Sequence, residues 1–283
     1  MDIKHLETGA VLRSVEGDSL AGVDLEESLL KGADLKGVDL SGANLRMVDL
    51  CCSDLTGAIL RGADLRAANL NGADMQGADL TGAILGGEQT LGAATLSGSD
   101  LTRANLSHAD LRNVDLMEAN LSYANLEDAD LSKAHLRKAN LTHADLRHAI
   151  LIGAYLRKAD LSNSELSGCH LNDANLIRAN LDHVNAAGEN GIRPAILVRA
   201  DMRDASLKEA NLAGCPMRLV DLRNANLSGA DLSDALMGGS VLRNANLTGT
   251  NFKGVKLTTV TVTHANFSEA LNVDMPSYKT GWR

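Results

Sequence analysis

From Leu96 to Leu181 every fifth residue is leucine, without exception. Two places before each one sits a small residue. It is usually alanine (Ala94, Ala104, Ala109, Ala119, Ala124), otherwise Ser99, Val114, Ser164 or Cys169. The residue between is mostly Asp or Asn, so the unit reads A-(D/N)-L-x-x. Neither common element accommodates this period. On an α-helix a step of five turns each leucine by about 140°, and the apolar stripe smears around the cylinder. On a continuous strand the same step flips every second leucine to the opposite face.

The period is satisfied if each unit is a short strand followed by a corner. Within A-D-L, alternation places Ala and Leu on one side and Asp on the other. The last two residues then turn the chain. Glycine at the second of them (Gly22, Gly32, Gly37, Gly42, Gly62, Gly72) supplies the positive φ of a type II turn. Four corners of about a right angle close a coil of 20 residues, and coils stack at about the 4.8 Å strand spacing.

Tandem A-(D/N)-L-x-x over nearly the whole chain resembles the pentapeptide repeat family. The resemblance implies an all-β fold, a right-handed quadrilateral β-helix with Leu or Phe stacked inside, here of about 12 to 13 coils. Composition agrees with a solenoid. Of the 283 residues 45% are hydrophobic but only 2% aromatic, because Leu and Ala fill the interior, and three prolines suit a backbone committed to ladder hydrogen bonds. One elongated domain is expected, with residues 1–15 as an N-terminal cap, 16–272 as the β-helix and 273–283 as a C-terminal tail or cap.

The register starts by Leu20 and runs in fives to Leu85, with Met75 once replacing Leu. A step of six leads to Leu91, and fives resume to Ala186. A second step of six leads to Ile192, then fives through Leu197, Met202 and Met217 to Phe252, Leu257, Val262 and Phe267. Ile3, Leu6, Val11 and Leu12 are expected to cover the first coil, since a bare end exposes core and strand edges. Ser268 to Met275 reads as a short capping helix, with Tyr278 and Trp282 as aromatic anchors. The irregular segments, Gly86-Gly87-Glu88-Gln89-Thr90 and Ala187-Gly188-Glu189-Asn190-Gly191, resemble each other. With Leu91 and Ile192 counted as coil positions, twenty units part them, which puts both on one face. They read either as one-residue bulges or as a matched pair of binding knuckles.

No run of 18 apolar residues marks a membrane span, and MDIKHLETGAVLRSVEG lacks the apolar core of a secretory signal; the expected compartment is the cytoplasm. Cys169 and Cys215 occupy the inward small-residue position, while Cys51 and Cys52 fall on a corner; all four read as free thiols. Residues 1–120 hold 9 Lys+Arg against 19 Asp+Glu, net −10, leaving 18 against 17, net +1, in residues 121–283.

Residues one coil apart share a column, which permits a search for sites. His108, Asp128 and His148 form one column, and His143, Asn163 and His183 another. A straight ladder converges poorly on a metal, so no metal or cofactor is expected. Neither a Ser-His-Asp or Cys-His arrangement nor a phosphate loop occurs, and catalysis is not expected. Counting 20 residues per coil, or 21 across a step of six, aligns the centres Leu136, Leu156, Leu176, Leu197 and Met217. Their outward neighbours make a basic and apolar column of Arg137, Lys138, Tyr155, Arg157, Lys158, Ile177, Arg178, Ile196, Val198, Arg199, Arg218 and Leu219. The positions before those centres are His135, Tyr155, Asn175, Ile196 and Pro216, with no carboxylate. Tyr155, Ile177, Ile196, Val198, Leu219 and Leu236 make an exposed apolar streak beside the basic one, which reads as an interaction surface or as drift at unconstrained positions.

The leading function is therefore a non-enzymatic scaffold or regulator that binds a protein partner. A homodimer through the C-terminal end or this face is one form of it. The alternative comes from the resemblance: some family members mimic DNA and bind DNA gyrase or topoisomerase, conferring quinolone resistance. Asp34, Asp54, Asp74 and Asp115 on one face, and Asp39, Asp79 and Asp100 on the next, are the residues to carry it. Nucleic-acid binding by the basic column is disfavoured by the scarcity of aromatics for stacking and by the acidic background.

Overall fold

The computed structural model describes residues 1–87, 92–188 and 191–277, in two compact units, Met1–Ala144 and Asp145–Arg283. The first unit opens with strand β1 (Asp2–His5), flanked antiparallel by β2 (Val11–Ser14) and β3 (Ala33–Asp34) in the order β2-β1-β3. Of the four residues expected to cover the first coil only Ile3 enters the core; Leu6 and Val11 stand exposed and Leu12 is half-buried.

From there each unit is built of parallel bridges one residue long, arranged in four columns. In the first unit these include Asp24, Asn44, Asp64, Ile84, Asp110 and Asp130, and Asp34, Asp54, Asp74, Asp100, Asn120 and Asn140. In the second, one column is Tyr155, Asn175, Asp201, Asp221, Val241 and Thr261. Most pentapeptides contribute the same bonds: Leu35 N donates to Asp54 O at 2.8 Å, and Asp54 N to Ala33 O at 2.9 Å. The leucines and their small partners point inward, and Leu50, Leu136, Leu176 and Leu222 are fully buried.

The corner explains the rest of the repeat. Ala33 N donates to Leu30 O across it (3.0 Å) with Gly32 at φ 68°, the type II geometry. The turn amide is also spent, since Gly32 N donates to Cys51 O of the next coil at 2.9 Å. Glycine is not required, however: Arg103, Lys138 and His148 take the same position at φ 60°, 60° and 61°. Left-handed backbone costs a non-glycine residue about 1–2 kcal/mol, and the repeated ladder bonds hold it in place. The Asp or Asn before each leucine forms the turn. Asp54 Oδ1 accepts from Thr56 N at 2.9 Å and Asn125 Oδ1 from Glu127 N at 3.0 Å, the Asx geometry. Asparagine adds a rung, as where Asn125 Nδ2 donates to Asn105 Oδ1 at 3.1 Å.

The two irregular segments are larger than bulges. The corner bond that normally spans three residues here spans nine: Ala94 N donates to Leu85 O and Ala195 N to Ala186 O, both at 2.8 Å. Neighbours across each segment are accordingly 26 residues apart, as in Asn69 with Thr95 and His170 with Ile196, and not 21. Each segment is thus a loop leaving and re-entering at one corner. Both necks are closed by glycine at the same place. A Cβ on Gly87 would lie 2.0 Å from Ala93 N, and one on Gly188 would lie 2.3 Å from Ile192 O. Ile192 is half-buried and takes no step of the ladder. Leu91, with Glu88, Gln89, Thr90, Glu189 and Asn190, lies outside the described residues. The count behind a shared face for the two segments therefore does not hold.

At the other end, Ser268 to Met275 forms no α-helix. The ladder continues one more step, with Leu271 bridged to Asn251 and Asn266 Oδ1 accepting from Ser268 N at 3.0 Å to turn the corner. The Phe252 and Phe267 rings pack at 5.6 Å between centroids. Tyr278 and Trp282 lie outside the described residues.

Candidate interaction surface

The 26-residue offset divides the column expected from sequence. Arg137 and Lys138 belong to the first unit, where Lys138 Nζ pairs with Glu118 Oε1 at 2.5 Å. The remaining candidates belong to the second unit and lie on two different faces. Tyr155, Arg157, Lys158, Ile177 and Arg178 share the Tyr155–Asn175–Asp201–Asp221 face. Ile196, Val198, Arg199, Arg218 and Leu219 lie on the face that runs Ile150, His170, Ile196, Pro216, Leu236. The irregular segment adds six residues to the 20-residue coil where the count allowed one, so every position beyond it moves round by a face.

The first of these faces is a ladder of arginine and carboxylate. Arg203 grips Asp201 through Nε at 2.8 Å and an NH2 group at 2.6 Å, and Arg223 grips Asp221 in the same way. Arg178 Nε lies 3.5 Å from Asp204 Oδ2. Burial pushes the Asp221 carboxyl up, but the Arg223 guanidinium and amide outweigh it and hold the group below its ordinary range. Arg157, Ile177, Arg178, Arg203 and Arg223 line an open groove of about 300 Å³. The freedom from carboxylates expected of the Tyr155 column does not hold here, since Asp201 and Asp221 stand in it.

That property belongs to the second face. Its ladder positions are Ile150, His170, Ile196, Pro216 and Leu236, five coils without a carboxylate. Ile152 and Val198 stand beside them; Leu219 is 58% exposed and Leu236 49%. Leu219 lies over Gly239, where a Cβ would come within 2.7 Å of its Cδ2. Arg199 is held by Asp173 through two bonds of 2.6 Å, whereas Arg218 makes no ion pair among the described residues. Arg218, Leu236, Met237 and Lys256 line an open groove of about 330 Å³. Leu236, expected in the apolar streak, stands here as well; Ile150 and Ile152 complete this surface and were absent from the candidates, because the shorter offset placed other residues beside Ile196.

The histidine columns have a backbone origin. His108 and Asp128 take the left-handed corner position at φ 58°, His143 does so at 59° and His183 at 58°, and Asn, Asp and His are enriched in that conformation. His108 Nδ1 and Asp128 Oδ2 are 3.8 Å apart, both exposed. The His143 ring stacks on Tyr123 at 4.7 Å, and His183 Nδ1 lies 3.4 Å from Glu209 Oε2. Among the described residues no group of three His, Cys, Asp or Glu converges as metal ligands would. The acidic columns shift too. Asp34, Asp54 and Asp74 are continued by Asp100; Asp115 stands between Thr95 and His135, while Asp39 and Asp79 share a column with Ile59 and Asn105.

Four columns, inward leucines and Asx-closed corners define a class of solenoid, and the comparisons with known proteins agree. The family model for pentapeptide repeats matches in eight copies, at residues 19–57, 52–87, 90–122, 115–151, 124–163, 154–188, 195–224 and 225–263. The chain belongs to the pentapeptide repeat family, whose fold is the right-handed quadrilateral β-helix. Among solved structures it is similar to HetL of Nostoc sp. strain PCC 7120, a pentapeptide repeat protein involved in heterocyst differentiation regulation. The two are 36% identical over 77% of this chain and 89% of HetL, with a TM-score of 0.31. Full-length QnrB1, a plasmid-mediated fluoroquinolone resistance protein, is 15% identical over 71% of this chain and 85% of its own, with a TM-score of 0.33. Rfr23 of Cyanothece 51142 is 28% identical over 44% and 65%, with a TM-score of 0.21. No curated protein matches. Among the described residues no helix is long and apolar enough to cross a membrane.

Proposed function

We propose that this is a non-enzymatic interaction protein, acting in the cytoplasm, whose second unit docks a protein partner on the Ile150–Leu236 face. One observation carries the reading. Carboxylates are abundant along this chain, yet five successive ladder positions, Ile150, His170, Ile196, Pro216 and Leu236, have none, and Ile152, Val198 and Leu219 stand on the corners beside them. A contiguous apolar run edged by Arg199, Arg218 and Lys256 suits a partner that offers aliphatic side chains ringed by acids. The four free cysteines suit a reducing compartment.

The test uses the full chain as bait in an extract of its native cell. Replacing Leu219 and Leu236 by Ser is expected to speed dissociation, with a loss above about 2 kcal/mol if they are anchors. Arg218→Glu is expected to slow association and flatten its salt dependence. Arg223→Ala, on the adjacent face, is expected to retain the partner. Equal capture by all four proteins refutes the assignment. Sedimentation at low and high salt identifies the case in which the partner is a second copy.

A second reading, DNA mimicry toward gyrase or topoisomerase, is favoured by the Asp34–Asp54–Asp74–Asp100 column of the first unit. It predicts inhibition of supercoiling in vitro that is lost when those four become Asn.

A further inference from the structure

The corner formed by Cys51 and Cys52 has no counterpart elsewhere in the chain. Their Sγ atoms lie 3.3 Å apart, Cys52 is exposed and Cys51 partly so. The turn imposes this arrangement: Ser53 N closes it on Leu50 O at 3.2 Å, with Cys52 in the left-handed region at φ 59°. Glycines of the two neighbouring coils flank Cys52. Cys52 stacks between Gly32 and Gly72. The His5 ring fills the Gly32 side, while a Cβ on Gly72 would lie 3.6 Å from Cys52 Sγ, so a bare hydrogen faces the sulfur there. Cys51 is held above the ordinary thiol range by its contact with Cys52 and by partial burial, which Lys31 opposes.

Two ordinary fates of neighbouring thiols fit this corner poorly. Adjacent Cα atoms stand about 3.8 Å apart across a trans peptide, short of the roughly 4.4–6.8 Å that an unstrained disulfide spans. A structural zinc site needs about four ligands, and no third His, Cys, Asp or Glu converges here among the described residues. A bridging atom bonded to each sulfur at about 2.3 Å, the length of a zinc–thiolate bond, closes the observed 3.3 Å gap with an angle near 90° at the centre. That is narrow for a tetrahedral ion and natural for a pyramidal one.

We infer that Cys51 and Cys52 form a two-thiol chelating site for a thiophilic trivalent centre of the arsenic(III) type. Binding is a condensation without a change of oxidation state. Two As–S bonds form, two As–O bonds break, and the two thiol protons leave with the oxygen as water.

The probe is phenylarsine oxide added to the full chain, read by intact mass and by retention under a monothiol wash. The expected result is one adduct, its mass increased by the probe less one water. It resists the monothiol and is removed by a dithiol. Cys51→Ser and Cys52→Ser should each weaken retention by about 10²-fold, the effective-concentration gain lost with the second thiol. Cys169→Ala should change nothing, because that thiol is fully buried and burial drives its pKa far up; Cys215 is likewise raised, to about 12. The inference is overturned by retention in the single serine variants, by no adduct on the wild-type chain, or by an adduct lost with Cys169. Stoichiometric zinc held at the pair after chelator dialysis overturns it as well.

Discussion

Two adjacent faces of the second unit share one backbone and differ in what stands on it. On the Tyr155–Val241 face, Arg203 and Arg223 fold back onto Asp201 and Asp221, two residues before them, and are neutralised where they stand. On the Ile150–Leu236 face the Asp position is held by isoleucine, histidine, proline and leucine, and among the described residues Arg218 has no acid to fold onto. The Asx bond that closes a corner is absent at Ile196 and Pro216, yet the turn forms: Ala200 N still donates to Leu197 O at 3.0 Å. The comparison teaches that the capping carboxylate is replaceable once the coil neighbours hold the turn. A face can therefore exchange turn chemistry for an apolar surface and keep the fold.

The comparison is broken most completely at the register. In a Cys51→Ser, Cys52→Ser background, Ile177→Cys with Arg203→Cys is expected to form a disulfide on mild oxidation. These positions flank the stacked corners joined by the 2.9 Å bond from Arg178 N to Arg203 O. Ile177→Cys with Val198→Cys is expected not to form one. Mapping by mass spectrometry of the digested, unreduced protein decides, and the opposite outcome returns Val198 to the Tyr155 face and dissolves the distinction.

The next largest effect lies beneath the faces. Leu176→Ala and Leu197→Ala, each removing a fully buried side chain, should each destabilise by about 2–5 kcal/mol, since stacked coils collapse poorly into a gap. Arg223→Ala and Arg218→Ala should stay within about 1 kcal/mol, because both are exposed. Urea midpoints measure all four. A large loss from either arginine would mean that its face carries stability rather than recognition.

The smallest effect sharpens the difference in carboxylates. Asp221 is depressed in the folded protein, so it contributes stability above the unfolded carboxylate pKa of about 3.9 and loses it as pH falls through the folded value. Asp221→Asn should flatten the acid limb of a melting-temperature profile below about pH 4. Leu236→Ser, at a ladder position on the face whose ladder carries no carboxylate, should leave that limb unchanged.

Much of this was legible in the residues. The five-residue period identified inward leucines and corners, the family resemblance implied the four-sided right-handed coil, and Leu136 and Leu176 are fully buried as expected. The error at the loops was also legible. From Leu25 on, every true centre among the described residues has a small residue two places before it, whereas Gln89 stands two places before Leu91 and Asn190 two before Ile192. The next centres, Leu96 and Leu197, have Ala94 and Ala195 in that place. Weighting the small residue as heavily as the leucine would have given the 26-residue offset. The capping helix at Ser268 to Met275 failed for a related reason: Ala265-Asn266-Phe267 still satisfies the unit after the surrounding pattern fades, and the ladder runs one step beyond it to Leu271.

Local chemistry, then, determined the coil: a leucine, a small inward partner and an Asx-closed corner are read within five residues, because each acts on its immediate neighbours. What the tertiary structure alone decided is which residues stand side by side. That depends on where a loop leaves and re-enters the ladder, and re-entry is settled by a bond between distant groups, Leu85 with Ala94 and Ala186 with Ala195, closed over glycine necks too tight for a side chain. A surface assembled from residues 20 and 26 apart inherits every such choice, so the composition of each face was written in the chain while its membership was not.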